Sequence, residues 1–149
     1  MTEPKSVAIV DDHAMFRKGL GALINLFANY QVLFEAASGK DFIRKIGVEG
    51  VPAIVLLDIA MPEMDGYATA EWIRKHYPQV QVLALSTMDS ESAIIKMIKH
   101  GAKGYILKDS EPDELKLAFD EVLSKGYFYN ELVTRKVLGS ISQLVDSKS

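Results

Sequence analysis

Several short apolar runs in this 149-residue chain end in a residue that can carry or bind charge. Ser6-Val7-Ala8-Ile9-Val10 runs into Asp11-Asp12, and Ile54-Val55-Leu56-Leu57 into Asp58. Val80 to Leu85 runs into Ser86-Thr87, and Gly104-Tyr105-Ile106-Leu107 into Lys108. Carboxylates, hydroxyls and one ammonium form a selective set. Carboxylates can hold a hard divalent cation and can act as nucleophiles toward phosphorus, while an ammonium neutralises phosphoryl oxygens. Two unit negative charges ~5 Å apart at an effective dielectric of about 20 repel by roughly 3 kcal/mol. Gathered together, these acids need a counter-charge. Lys108 supplies part of it, and Mg²⁺, which accepts a few protein oxygens and keeps several waters, is expected to supply the rest.

For these residues to meet, the apolar runs must be neighbouring strands. The run ending at Asp58 is long and β-branched, and it is closed by Pro62 and the Asp65-Gly66 pair, the pattern of a strand buried on both faces. Such strands belong to parallel sheets covered by helices, with ligands beyond their carboxyl ends. Helical spacing follows each run. Phe16, Leu20, Leu23 and Phe27 mark a helix over Met15 to Phe27, and Gln31 to Ala36 reads as another strand. Ser38 is placed to cap a helix bearing Phe42, Ile43 and Ile46, with Gly47 to Pro52 ending it. Tyr67 to His76 reads as a helix stopped by Pro78, and Glu91 to His100 as one closed by Gly101. In that helix Ile94, Ile95 and Ile98 are expected to face the core, leaving Met97 outside. Ser110-Glu111-Pro112-Asp113 opens a last helix, Ser110 capping it and Leu115, Ala118, Phe119 and Val122 forming its buried stripe, with Leu117 off it. Five strands alternating with five helices predict an α/β fold, a doubly wound five-stranded parallel sheet. Glu131 to Val145 keeps a helical rhythm outside this alternation and reads as an extra C-terminal linker helix.

Composition narrows the classes. Apolar content of 48% and charged content of 25% are those of a globular protein, and a formal charge of -3 gives no electrostatic reason for nucleic-acid binding by this segment. The absence of cysteine excludes disulfides and thiolate metal sites. With no signal-like N-terminus and no run long enough to cross a bilayer, a cytoplasmic location is expected. No GxxxxGK[ST] loop and no GxGxxG follows the first strand, so a nucleotide cradle is not expected. His76 and His100 close helices beside basic residues and read as solvated. His13 is assigned to the turn after the acidic pair, and no partnered histidine is expected at the site.

The acidic pair Asp11-Asp12, the stretch from Asp58 through Met61-Pro62 to Met64-Asp65-Gly66, Ser86, and Tyr105-Ile106-Leu107-Lys108 stand in the order of a response-regulator receiver domain. The chain resembles that family over roughly Ser6 to Lys125. Gly104 to Glu111 is similar to the NarL/FixJ-like branch, whose members carry a LuxR-type helix-turn-helix output domain. The resemblance implies a flavodoxin-like receiver over residues 4–126, a linker or extra helix over 127–149, and an output domain absent from this chain, as in a truncated regulator. It implies that Asp58 accepts phosphate from the phosphohistidine of a sensor histidine kinase or phosphotransfer protein. Asp12, Asp58 and the backbone carbonyl of Ala60 would bind Mg²⁺, with Asp11 helping through water. Lys108 would pair with Asp58 and later the phosphate. Ser86 would hydrogen-bond a phosphoryl oxygen and Tyr105 would change rotamer with it. The product would be a switch that takes part in its own phosphorylation and dephosphorylation, not an enzyme acting on a separate substrate. A homodimer on phosphorylation, DNA contact only through the output domain, and no membrane partner complete the expectation.

The sequence departs from the family pattern at a few points. Ser86 replaces the commoner Thr, and Asp109 stands where many relatives have Pro. Ala60 and Met88 put apolar side chains at positions often polar, which predicts a long-lived phosphorylated form. Two other readings stay open. One is a Mg²⁺-dependent phosphohydrolase with an Asp nucleophile, disfavoured because Ala60 supplies no second acid. The other is a receiver-like scaffold that works without phosphorylation, against which stand Asp12, Asp58, Ser86 and Lys108.

Overall fold

The strands of this computed structural model, which describes residues 3–59, 61, 65–87 and 91–128, form one parallel sheet. In chain order the elements are β1 (Lys5–Val10), α1 (Ala14–Leu26), β2 (Tyr30–Ala36), α2 (Gly39–Glu49), β3 (Ile54–Asp58), α3 (Gly66–His76), β4 (Gln81–Ser86), α4 (Glu91–Lys99), β5 (Gly104–Leu107) and α5 (Pro112–Lys125). The strand order is β2-β1-β3-β4-β5. Strand order therefore reverses between β1 and β3, the position where open α/β sheets leave a crevice.

Alternation along the strands sorts the core into two layers, because successive side chains point to opposite faces. Ala8, Val10, Val55 and Leu57 pack on one side with Phe42 and Ile46 of α2, Ile73 of α3, and Ile94 and Met97 of α4. Val7, Ile9, Ile54 and Leu56 pack on the other with Ile24 of α1 and Leu115, Ala118, Phe119 and Val122 of α5. Side chains of this size contribute about 1.5–3 kcal/mol each when fully buried. All five residues of β3 are buried, which is why its sequence lacks the alternation of a half-exposed strand.

Several boundaries differ from expectation for local reasons. The Ser38 hydroxyl does accept from the Asp41 N–H at 3.1 Å. The helix it caps runs through Gly47 and stops at Gly50, whose φ of 117° a side chain would resist. Gly101, at φ 110°, follows α4 in the capping position foreseen for it. Ser110 is not the cap of α5. Glu111 holds that position without a side-chain hydrogen bond, and Pro112 opens the helix with a fixed φ. Met97 is fully buried, while Ile95 and Ile98 are only half-buried. The buried stripe of α4 is thus Ala93, Ile94 and Met97. Leu117 is exposed as expected.

Phe128, assigned from sequence to the linker, is buried against the sheet edge and donates its N–H to the Lys103 carbonyl at 2.8 Å. The extra helix over Glu131 to Val145 lies outside the described residues.

Between β3 and α3 the backbone folds back on itself. Gly66 donates to the Ile59 carbonyl at 2.8 Å, and the Asp65 carboxylate caps α3 by accepting from Ala68 N–H at 2.9 Å. A Cβ on Gly66 would lie 2.4 Å from the Asp58 carbonyl oxygen and 2.6 Å from Ile59 Cα. Only glycine permits that approach. Gly66→Ala should therefore destabilise the fold by about 1–3 kcal/mol through overpacking, read as a lower urea midpoint at unchanged slope. A shift equivalent to less than about 0.5 kcal/mol would mean that this corner yields to added volume.

Candidate functional site

Register places the acids. Val10 pairs with Leu57, so the next residues, Asp11 and Asp58, emerge abreast from adjacent strands about 4.8 Å apart. Ser86 pairs with Leu107, which brings Lys108 to the same rim just past β5. Asp11 is fully buried and Asp58 nearly so, whereas Asp12 is exposed.

Lys108 lies between the two buried carboxylates. Its ammonium is 2.8 Å from Asp11 Oδ2 and 3.5 Å from Asp58 Oδ2, with the side chain only 11% exposed. The expectation from the family resemblance paired Lys108 with Asp58. In this structure the shorter contact is to Asp11. The ammonium also sits 4.9 Å from the centre of the Phe16 ring, whose negative face favours a cation. A cavity of about 570 Å³ lined by His13, Phe16, Thr87, Leu107, Lys108 and Asp109 opens beside it.

His13 is the residue that sequence reasoning set aside. It is the N-cap of α1, and its N–H donates to Asp11 Oδ1 at 2.8 Å. Its Nδ1 lies 3.1 Å from Asp11 Oδ1, 3.5 Å from Asp12 Oδ1 and 3.2 Å from the Lys108 ammonium. A histidine thus stands at the acidic site after all. The available signal was position: a residue directly after strand-end acids shares their rim. His76 and His100, in contrast, engage carbonyls of their own helices, Trp72 and Lys96, in exposed positions.

One ligand atom each from Asp11, Asp12, His13 and Asp58 fall within 4.8 Å of one another. Carboxylate oxygens at this spacing suit a hard divalent cation such as Mg²⁺. The Ala60 carbonyl and the Met88 position lie outside the described residues. Ser86 ends β4, and Tyr105 is buried in β5.

Ring contacts join the same corner to α4. Tyr67, directly after Gly66, lies 4.3 Å beneath the Lys96 ammonium and 5.7 Å from the His100 ring. Burial, and then the neighbouring Asp65 carboxylate, raises the Tyr67 phenol above its ordinary range.

The model of the response regulator receiver domain family matches residues 7–120. Among curated proteins, the transcriptional regulatory protein MctR of Rhizobium johnstonii is 36% identical over 93% of this chain and 65% of its own length. The nitrate/nitrite response regulator protein NarL of Escherichia coli is 30% identical over 93% of this chain and 64% of its length, and the transcriptional regulatory protein DegU of Brevibacillus brevis 30% over 94% and 59%. The chain therefore spans about six-tenths of the length of these relatives. Among solved structures, a LuxR-family two-component response regulator from Aurantimonas superposes with a TM-score of 0.84 at 26% identity, covering 94% of this chain and 99% of that one. The signal receiver domain of a Mycobacterium tuberculosis NarL response regulator gives 0.76 at 31%, covering 83% and 100%. Among the described residues no helix is long and apolar enough to cross a membrane.

Removing the ammonium should expose the cost of burying two acids side by side. Lys108→Ala is expected to lose about 3–5 kcal/mol at low divalent-ion concentration, because both carboxylates lose their cation. Mg²⁺ should restore more stability to this variant than to the parent, as measured by thermal unfolding with and without the ion. A small loss that Mg²⁺ does not alter would contradict the electrostatic account.

Proposed function

The chain belongs to the response-regulator receiver family, and on that premise we propose that Asp58 is its phosphoacceptor. The observation that carries this reading is the convergence of Asp11, Asp58 and Lys108 at the tips of three different strands. A sensor histidine kinase, or a phosphotransfer protein, donates the phosphoryl group from a phosphohistidine. An Asp58 carboxylate oxygen forms the new P–O bond as the P–N bond breaks, and the electron pair leaves with the imidazole nitrogen.

Asp12, Asp58 and the Ala60 carbonyl are proposed to hold Mg²⁺, with Asp11 assisting through water; bound there, the ion offsets charge on the phosphoryl oxygens. The chain's own residues do the rest. Lys108 exchanges its contact with Asp11 for one with a phosphoryl oxygen, which leaves the bound ion to compensate Asp11. Ser86 donates its hydroxyl to another oxygen, and Tyr105 changes rotamer with it. Shifting a two-state surface from 1:99 to 99:1 needs about 5.5 kcal/mol, and a few charge-assisted hydrogen bonds in a largely dry site can approach that.

The regulated output, by the names of the relatives, is transcription. In this proposal it is exerted through a DNA-binding domain outside this chain, and the phosphorylated form pairs with a second copy. The chain is then a cytoplasmic signalling switch that contributes to its own phosphorylation and dephosphorylation.

Intact mass spectrometry after incubation with Mg²⁺ and a cognate kinase or acetyl phosphate should show one added phosphoryl group. Asp58→Asn, or chelation of the ion, should abolish it. A mass gain that persists in the Asn variant would move the acceptor elsewhere.

A further inference from the structure

Arg17 lies in the first turns of α1 and carries a full charge, yet its side chain is only 14% exposed. Its guanidinium is forked between two elements. One arm donates to the Asp11 backbone carbonyl at 2.6 Å, and Nε donates to Glu35 Oε1, near the end of β2, at 3.0 Å. Glu35 is itself anchored. Lys45 of α2 donates to its carbonyl at 2.6 Å, and Lys18 lies 3.4 Å from its carboxylate. The Glu35 carboxylate lies beneath α1, within van der Waals reach of the Gly21 position.

The consequence is local to the site. Asp11 donates its N–H to the Ala36 carbonyl at 3.0 Å and gives its own carbonyl to Arg17. The peptide groups on both sides of Asp11 are therefore tied to β2, directly and through the Arg17–Glu35 pair. These ties set where the Asp11 and Asp12 carboxylates point, without Arg17 touching either of them. We propose that Arg17, clamped by Glu35, is the positioning residue that presents the acidic pair to the divalent cation. The inference rests on the reading of that pair as the Mg²⁺ site.

The sign of the effect separates position from charge. If Arg17 acted only by its charge, removing it would leave the carboxylates more negative and tighten cation binding. If it holds the turn, removing it loosens the ligands and weakens binding, and loss of an outer-shell orienting partner weakens metal affinity by about 10–100-fold. Lysine offers one nitrogen on a flexible stem where the guanidinium offers a rigid fork, so it holds the two oxygens less firmly.

The test is Mg²⁺ titration by isothermal calorimetry on the parent, Arg17→Ala, Arg17→Lys and Glu35→Ala, beside the phosphorylation rate from acetyl phosphate. Arg17→Ala should raise the Mg²⁺ Kd about tenfold, while the rate at saturating Mg²⁺ stays within about threefold of the parent. Arg17→Lys should recover less than half of the affinity loss, and Glu35→Ala should weaken binding at least about threefold by releasing the clamp. A folded Arg17→Ala with unchanged or tighter Mg²⁺ binding would overturn the proposal. If that variant does not fold, an unchanged Kd in Glu35→Ala would overturn it instead. A parent protein with no saturable Mg²⁺ binding would sink the metal-site reading, a result distinct from either.

Discussion

Two carboxylates buried side by side are the constraint on which this molecule turns. Asp11 and Asp58 leave adjacent parallel strands in register, and the core beneath them admits little water to screen their repulsion. The fold answers with one ammonium from a third strand. Lys108 is held close to Asp11, within reach of Asp58, and over the face of Phe16. That arrangement offsets part of the pair's charge at rest and leaves the ammonium near any new charge placed on Asp58.

The rest of the architecture serves this junction. The reversal of strand order between β1 and β3 opens the rim, and parallel pairing keeps the strand tips level. Gly66 lets the chain turn back against the Asp58 carbonyl, so α3 begins in contact with the Asp58 backbone. From there Tyr67 reaches Lys96 and His100 on α4, and Tyr105 is buried in the neighbouring β5. Across the sheet, the Tyr30 hydroxyl donates to Asp120, tying the start of β2 to α5.

Much of this was legible in the amino-acid sequence because period and punctuation are local properties. An apolar run ending in a charged residue names both a strand and its functional tip, and parallel topology then brings such tips together. The residues that escaped did so for tertiary reasons. His13 reads as a turn residue until its ring is seen among Asp11, Asp12 and Lys108. Arg17 looks like one more surface charge on an amphipathic helix, and only the position of Glu35 on another strand reveals the clamp. Met97 reads as outward if Ile94, Ile95 and Ile98 face the core. In the structure Met97 is buried beside Ile94, and Ile98 only lines the edge of that cluster. That Lys108 lies nearer Asp11 than Asp58 is a matter of fractions of an ångström, which no spacing rule encodes.

The most direct test of the central claim is a crystal structure of the protein with Mg²⁺ and beryllofluoride, a phosphoryl mimic that attaches to a carboxylate. The mimic should sit on Asp58, with the Lys108 ammonium moved off Asp11 to within hydrogen-bonding distance of a fluoride. Lys108 still held by Asp11, or the mimic and ion bound to other residues, would contradict the account.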